Sequence, residues 1–187
     1  MNRFKELVKN TIGIVRCVFA GVNFSGGVYV GSHVHFVNGN VIKLGKGAQI
    51  RPDVDLFAAS EFCVGDGCDI GTRNRIVGNV IIEDNVLLGP DNYICSHDHY
   101  YQDVKLPIKS QGVYAVNNNG HRELRIGEGS WIGTHVAIIG DVHIGKHCVI
   151  GANSVVTKDV PDYCVVLGAP AKIVKRYNFS TEKWEKV

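Results

Sequence analysis

Two histidines separated by one residue, His97 and His99, lie in the run Cys95-Ser96-His97-Asp98-His99-Tyr100-Tyr101-Gln102-Asp103. An imidazole whose ordinary pKa is about 6.5 accepts a proton from a hydroxyl or amine near neutral pH, so either ring suits general-base work. Such a base is usually oriented by a carboxylate or carbonyl behind it, and Asp98 and Asp103 are the nearby carboxylates. Tyr100 and Tyr101 add aromatic faces of the kind that pack on sugar rings. The other histidines read differently. His135, His143 and His147 fall inside a regular repeat, and His33 and His35 alternate on an early strand, so all five read as structural. No two of the eight histidines are five residues apart, and no Cys/His cluster has zinc-ligand spacing. No metal site is expected.

The repeat supplies the frame that must hold these rings. Stepping by six from Val64 meets Ile70, Ile76, Ile82, Leu88 and Ile94; stepping by six from Ile126 meets Ile132, Ile138, Ile144, Ile150 and Val156. All twelve are aliphatic in a chain that is 45% hydrophobic, a coincidence of less than roughly one in ten thousand. Gly often follows the anchor, as at Gly71, Gly89 and Gly133. Four positions after each anchor stands a small or modest residue, among them Cys68, Asn74, Asn92, Ser130 and Ser154. Val30, Phe36, Leu44, Ile50 and Leu56 form an earlier set. The phase slips by two residues near 42–44 and 62–64, which reads as bulges or short loops.

A period of six fits neither an α-helix nor an ordinary hairpin sheet. It fits a solenoid of short parallel strands with a bend every six residues. Three sides per coil and seventeen anchors give about five to six coils. The repeat breaks once in a large way, between Ile94 and Ile126, and this loop of 95–125 carries the two histidines. Long loops leaving a rigid scaffold are where function concentrates.

The bulk numbers suit one domain. The chain has 187 residues, 20% of them charged, and a net charge of +2, too small to imply a nucleic-acid partner. Six cysteines without CxxC spacing read as free thiols of a reducing, cytoplasmic compartment. Residues 1–20 read as an amphipathic helix, interrupted by Arg16 and too short to span a bilayer. Its first reading is a cap on one end of the solenoid; a membrane surface is the second. The domain itself is 21–187, with a short helical tail at 172–187.

The hexapeptide pattern, together with the run from Ile126 to Lys158, Asp159-Val160-Pro161 and Gly168-Ala169-Pro170-Ala171-Lys172, resembles the maltose/galactoside O-acetyltransferase group and its relatives in surface-polysaccharide biosynthesis. The resemblance covers roughly residues 28–177. It implies an all-β fold, a left-handed parallel β-helix, and a homotrimer with active sites between subunits. It implies acetyl-CoA as co-substrate and a sugar or oligosaccharide hydroxyl as acceptor. The family's catalytic histidine is expected nine residues after Pro90, which selects His99 and leaves His97 as the second candidate.

Cofactor positions of the family fall on Thr134, Ala152, Thr157 and Lys158, with cationic positions at Lys172 and Lys175. Trp131 matches an aromatic near the acetyl group, with packing at a trimer interface as its alternative. Asn74, Asn92 and Tyr100 are candidates for acceptor contacts. Arg73 and Arg75 would suit an anionic sugar or else face solvent. The apolar-basic first helix and the Ser-His-Asp-His context look more like O-antigen and capsule acetyltransferases than like the simple sugar enzymes. Streptogramin-type antibiotic acetyltransferases and non-catalytic β-helix scaffolds are the rival readings.

Overall fold

The computed structural model describes residues 3–114 and 122–187. Helix α1 (Arg3–Ala20) precedes short parallel strands wound into a left-handed β-helix of about seven turns. In section the solenoid is a triangular prism. Its first face stacks Tyr29–Val30, Gln49–Ile50, Asp69–Ile70, Leu87–Leu88, Trp131–Ile132, Val149–Ile150 and Cys164–Leu167 in parallel order. The second face runs from His35–Val37 to Val155–Val156, and the third from Asn23–Phe24 to His143–Ile144. Strands Asp55–Val64 and Arg75–Ile82 bend round the corner that joins these two faces. The expected five to six coils become about seven. Asn23–Phe24 at the start and Cys164–Leu167 at the end stack in register without carrying the repeat.

The period predicts the core. Sixteen of the seventeen anchors are buried, and Phe36 is half-buried. Each buried aliphatic anchor is worth about 1.5–3 kcal/mol of transfer free energy, so the stack of anchors dominates stability. The residues four positions after an anchor also point inward. Asn74 and Asn92 are among them, and their amides tie successive coils together. Asn74 donates to the carbonyls of Gly71 and Gly89 (2.7 and 2.8 Å) and its Oδ1 accepts from the Asn92 main-chain N–H (2.9 Å). Asn92 donates to Gly89 and accepts from Val136 N–H (2.7 Å). The acceptor-contact role expected for these two residues is therefore corrected. They are 1% and 2% exposed, and their side chains satisfy main-chain groups inside the corner.

The corners have their own rule. Three residues after an anchor, the backbone takes the left-handed conformation on two of the three corners. His33, Asp53, Arg73, Asp91, His135 and Asn153 mark one corner, with φ between 51° and 63° across the set that also includes His147. Three of the histidines read as structural, His33, His135 and His147, thus serve as corner residues, and His33 pairs with Asp53 of the next coil at 3.1 Å. His143 instead stands exposed on the third face. Arg73 and Arg75 are held in ion pairs: Arg73 with Asp91 at 2.6 and 2.7 Å, Arg75 with Asp55 at 3.3 Å.

Both phase slips are located. Tyr29, Gln49 and Asp69 are twenty residues apart, whereas Asp69 and Leu87 are eighteen apart. The extra residues form a 3-10 turn at Gly39–Val41 and a register shift between Ala58 and Phe62. Both lie at the corner between the second and third faces. The long loop is an insertion at that same corner: it leaves after Tyr93–Cys95 and returns at Leu124–Ile126.

The tail expected as a helix is a strand hairpin. Lys172–Asn178 runs antiparallel to Cys164–Leu167, and Lys183–Lys186 antiparallel to it. The segment Ile173-Val174 with the cross-strand pair Tyr177–Trp184 (ring centroids 5.5 Å apart) favours strands. Its lysines blunt the open edge of the solenoid.

The glycine after an anchor relieves a close approach of coils. A Cβ at Gly89 would lie 2.6 Å from the Gly133 carbonyl oxygen, a contact neither coil can yield without shifting. Gly47 sits at φ +75° with open space around it. Gly89→Ala is expected to destabilise the fold by about 1–3 kcal/mol. Gly47→Ala should cost only the left-handed penalty of about 1–2 kcal/mol, and Gly47→Asn less. Thermal melting of the three variants checks the ranking; a Gly89→Ala protein at least as stable as Gly47→Asn would contradict the close-approach account.

Candidate active site

The loop is rooted by a buried asparagine that the sequence reading did not single out. Asn79, at the corner one coil below, donates its main-chain N–H to Ser96 Oγ at 2.9 Å where the loop departs. Its side-chain amide donates to the Arg122 carbonyl at 3.2 Å where the chain re-enters. Its Oδ1 accepts from Ser60 and Glu61 N–H on the coil beneath. One residue therefore holds both ends of the insertion to the solenoid, its main chain the departing end and its side chain the returning end. The only signal in the sequence is Gly78-Asn79 interrupting an aliphatic strand. Gly78, at φ +104°, must lack a Cβ, which would collide with Ser96 Oγ and come within 3.1 Å of His97 Nδ1.

His97 stands half-buried on this root, against Gly78. Burial holds its imidazole below the ordinary range, and the charge of neighbouring His99 pushes the same way. His97 is accordingly neutral at neutral pH. His99 is exposed on the two-residue strand Asp98–His99, which pairs antiparallel with Val113–Tyr114. The two carboxylates expected to orient a ring act elsewhere. Asp98 accepts from His99 N–H at 2.7 Å, and Asp103 from Lys105 N–H at 2.9 Å. Both shape the loop's main chain. Gln111, on the short helix α2 (Ile108–Gln111), clamps the loop further by donating to the carbonyls of Asp103 and Leu106. Tyr100 is half-buried beside them, its N–H bonded to Gly112 O at 3.2 Å. The part of the expected loop at 115–121 lies outside the described residues. The Cys95 thiol is buried and donates to the His97 carbonyl at 3.2 Å.

Successive coils stack other expected residues on the same corner. Above Ser96–His97 come Gly140, whose N–H bonds the Cys95 carbonyl at 2.8 Å, and then Thr157–Lys158. Strands stack about 4.8 Å apart, so the roots of His97 and Thr157 are separated by about 10 Å along one edge. Thr157, Lys158 and Lys172 line a cavity of about 240 Å³ at the C-terminal end. Lys175 is exposed on the tail strand. Thr134 and Ala152 occupy the other corner of the second face; Ala152 is exposed, and the Thr134 hydroxyl donates to Pro90 O at 3.0 Å.

Trp131 is half-exposed on the first face, paired with Leu87 and Val149. That face is opposite the corner where the loop is rooted, so one chain does not bring Trp131 to the loop's base. A concavity of about 840 Å³ lies elsewhere on the second face, between the end of α1 and Phe57 and Arg75. No group of metal-ligating side chains occurs among the described residues.

Residues 124–158 match the family described as bacterial transferase hexapeptide, six repeats. Rv3034c of Mycobacterium tuberculosis, named as an acetyltransferase, is 33% identical over 171 residues, which are 79% of this chain and 54% of that protein. WbbJ of Escherichia coli, named for lipopolysaccharide biosynthesis O-acetyl transfer, is 32% identical over 71% of this chain and 69% of its own length. The chain thus spans about half to two thirds of these curated relatives. The crystal structure of AntD, an N-acyltransferase from Bacillus cereus in complex with dTDP and 3-hydroxybutyryl-CoA, superposes with a TM-score of 0.76 at 17% identity, covering 90% of each chain. Coil architecture, repeat and relatives agree, and the chain belongs to the bacterial hexapeptide-repeat transferase family.

Proposed function

We propose that this chain transfers an acetyl group from acetyl-CoA to a sugar hydroxyl in surface-polysaccharide biosynthesis, with His99 as the general base. The observation that carries the reading is the placement of the two-histidine loop on a rigid edge whose next coils present Thr157 and Lys158. The residues present suit the co-substrate. Lys158 and Lys172 bring two cations to one cavity, as phosphates require, although as point charges rather than bidentate forks. The exposed Ala152 and the neighbouring corner leave main-chain groups open to an extended arm. The names of WbbJ and Rv3034c support acetyl transfer, and that of WbbJ the polysaccharide role.

The chemistry follows from the ring states. Neutral His99 takes the proton of the acceptor hydroxyl as its oxygen forms a bond to the thioester carbonyl carbon. When the carbon–sulfur bond breaks, the imidazolium returns that proton to the departing thiolate, leaving an acetyl ester and free thiol. The buried Cys95 thiol is bonded to the loop's own carbonyl, in keeping with direct transfer rather than an acyl-enzyme. Trp131 joins the site from a second copy, and the homotrimer of this reading puts one subunit's first face against another's loop, where Tyr100 meets the acceptor. Buried free thiols and acetyl-CoA use suit a cytoplasmic protein. No helix among the described residues is long and apolar enough to cross a membrane.

Thiol release from acetyl-CoA, measured with nucleotide sugars, oligosaccharides, amino sugars and a streptogramin as acceptors, tests the proposal. His99→Ala is expected to lower acceptor-dependent kcat by about 10²–10⁴. Survival of activity in His99→Ala with loss in His97→Ala would move the base by two residues. Asn79→Ala should lower kcat at least tenfold with the KM for acetyl-CoA little changed, since it loosens the loop and not the cavity; a rise in KM alone would contradict that role.

The depressed pKa of His97 adds a pH prediction. The unfolded chain binds a proton on this ring at higher pH than the folded one does. The stability tied to neutral His97 is thus fully present above about pH 6.5 and is lost as pH falls through the ordinary imidazole range. Protection factors of the loop amides, taken relative to intrinsic exchange at each pH, should fall between pH 7.5 and 5.5 in wild type, and less so in His97→Gln. Equal acid sensitivity in both would show that His97 is not the group responsible.

A further inference from the structure

Helix α1 caps the solenoid with its small residues. The buried positions are Gly13 and Cys17, flanked by half-buried Asn10 and Ala20. A side chain at Gly13 would collide with the Val28 carbonyl oxygen, so this stripe lies directly on the first strand of the first face. The large apolar residues of the same helix point the other way. Leu7 is 65% exposed, Val18 64% and Phe19 89%, and Val8, Ile12 and Val15 are exposed with them. A helix whose only task was to seal the core would carry the opposite arrangement, with large apolar residues inward.

At about 100° per residue, these exposed residues fall within one arc of about 140° opposite Gly13, which Thr11 shares. By sequence position, Lys5, Lys9 and Arg16 fall along one edge of that arc and Arg3 along the other; Glu6 is the helix's one acid. An apolar arc bordered by cations is the pattern of a helix lying in the plane of a bilayer interface. Self-association through the same arc would set like-charged borders against each other, whereas anionic headgroups neutralise both.

We infer that the outer face of α1 docks this protein on the surface of an anionic lipid bilayer, with the helix in the interface plane and the solenoid standing off from it. The arc enters the headgroup–acyl boundary and the helix does not cross; Arg16, beside the arc, keeps its guanidinium on the Val30 carbonyl at 2.5 Å. The inference stands independently of the acetyl-transfer reading.

The test is flotation of the full chain with vesicles of phosphatidylcholine alone and of phosphatidylcholine with one quarter phosphatidylglycerol, without acetyl-CoA. Wild type should float with the anionic vesicles at least tenfold more than with neutral ones, and less at 0.5 M salt. Val15→Asp/Phe19→Asp, at exposed positions, should lose flotation while keeping the wild-type melting temperature and oligomeric state by light scattering. Gly13, Cys17 and the cap remain in that variant, so an unfolded variant is recognised by its melt. Failure of wild type to float, or flotation unchanged by the two substitutions, overturns the inference. A drop in oligomeric state of the variant without flotation of wild type would assign the face to a copy-to-copy contact instead.

Discussion

Each coil must return to register above itself after three short strands, and the rest of the molecule answers to that constraint. Parallel main-chain hydrogen bonds between coils form only if equivalent residues recur at the same corner, as Tyr29, Gln49 and Asp69 do. Inward space is then fixed. It admits one aliphatic anchor per side and a small or hydrogen-bonding residue per bend, which is why Asn74 and Asn92 turn their amides inside. Close stacking also removes the side chain at Gly89 and Gly133, where the next coil's backbone passes. Variation in chain length is tolerated at one corner only. The 3-10 turn at Gly39–Val41, the shift after Ala58 and the histidine loop are three sizes of insertion at that corner.

The functional geometry follows from where that corner lies. A solenoid edge collects residues far apart in sequence: Asn79, His97, Gly140 and Thr157 share one edge because their coils are consecutive. The insertion is held at its neck by Asn79, whose buried amide has partners in the coil below and at the loop's return. The histidines therefore stand on a rigid base although they belong to a long connection. The same prism geometry puts Trp131 on the opposite face, so completing the proposed site calls for a second chain.

The anchors were legible because a period of six survives local noise when two runs of six positions are aliphatic throughout. The left-handed corner residues were not, since His33, Asp53, Arg73 and Asn153 share a backbone conformation and no side-chain chemistry. Asn74 and Asn92 were misread for a related reason. A polar residue in the small-residue slot looks like a surface ligand until the coil above is placed on it. The tail expected as a helix is an edge hairpin, and the Tyr177–Trp184 pairing that marks it appears only when the two strands are laid side by side. The site was legible in its loop and histidines, whose position in a break of phase needs no third dimension. Asn79 was not, because its importance lies in three contacts, each with a separate stretch of chain.

Helix α1 shows the difference between an element's type and its orientation. Periodicity alone predicts an amphipathic helix and suggests that its apolar side faces the core. Packing reverses that assignment, because the end of the solenoid presents main-chain atoms such as the Val28 carbonyl, and only Gly13 and Cys17 are small enough to lie against them. Once the small stripe is committed inward, the helix cannot also bury Leu7, Val15 and Phe19 in the same chain, whose opposite sides they occupy. The steric demand of the cap thus determines which face is left for another surface, and the cations bordering it determine the sign of charge that surface must carry.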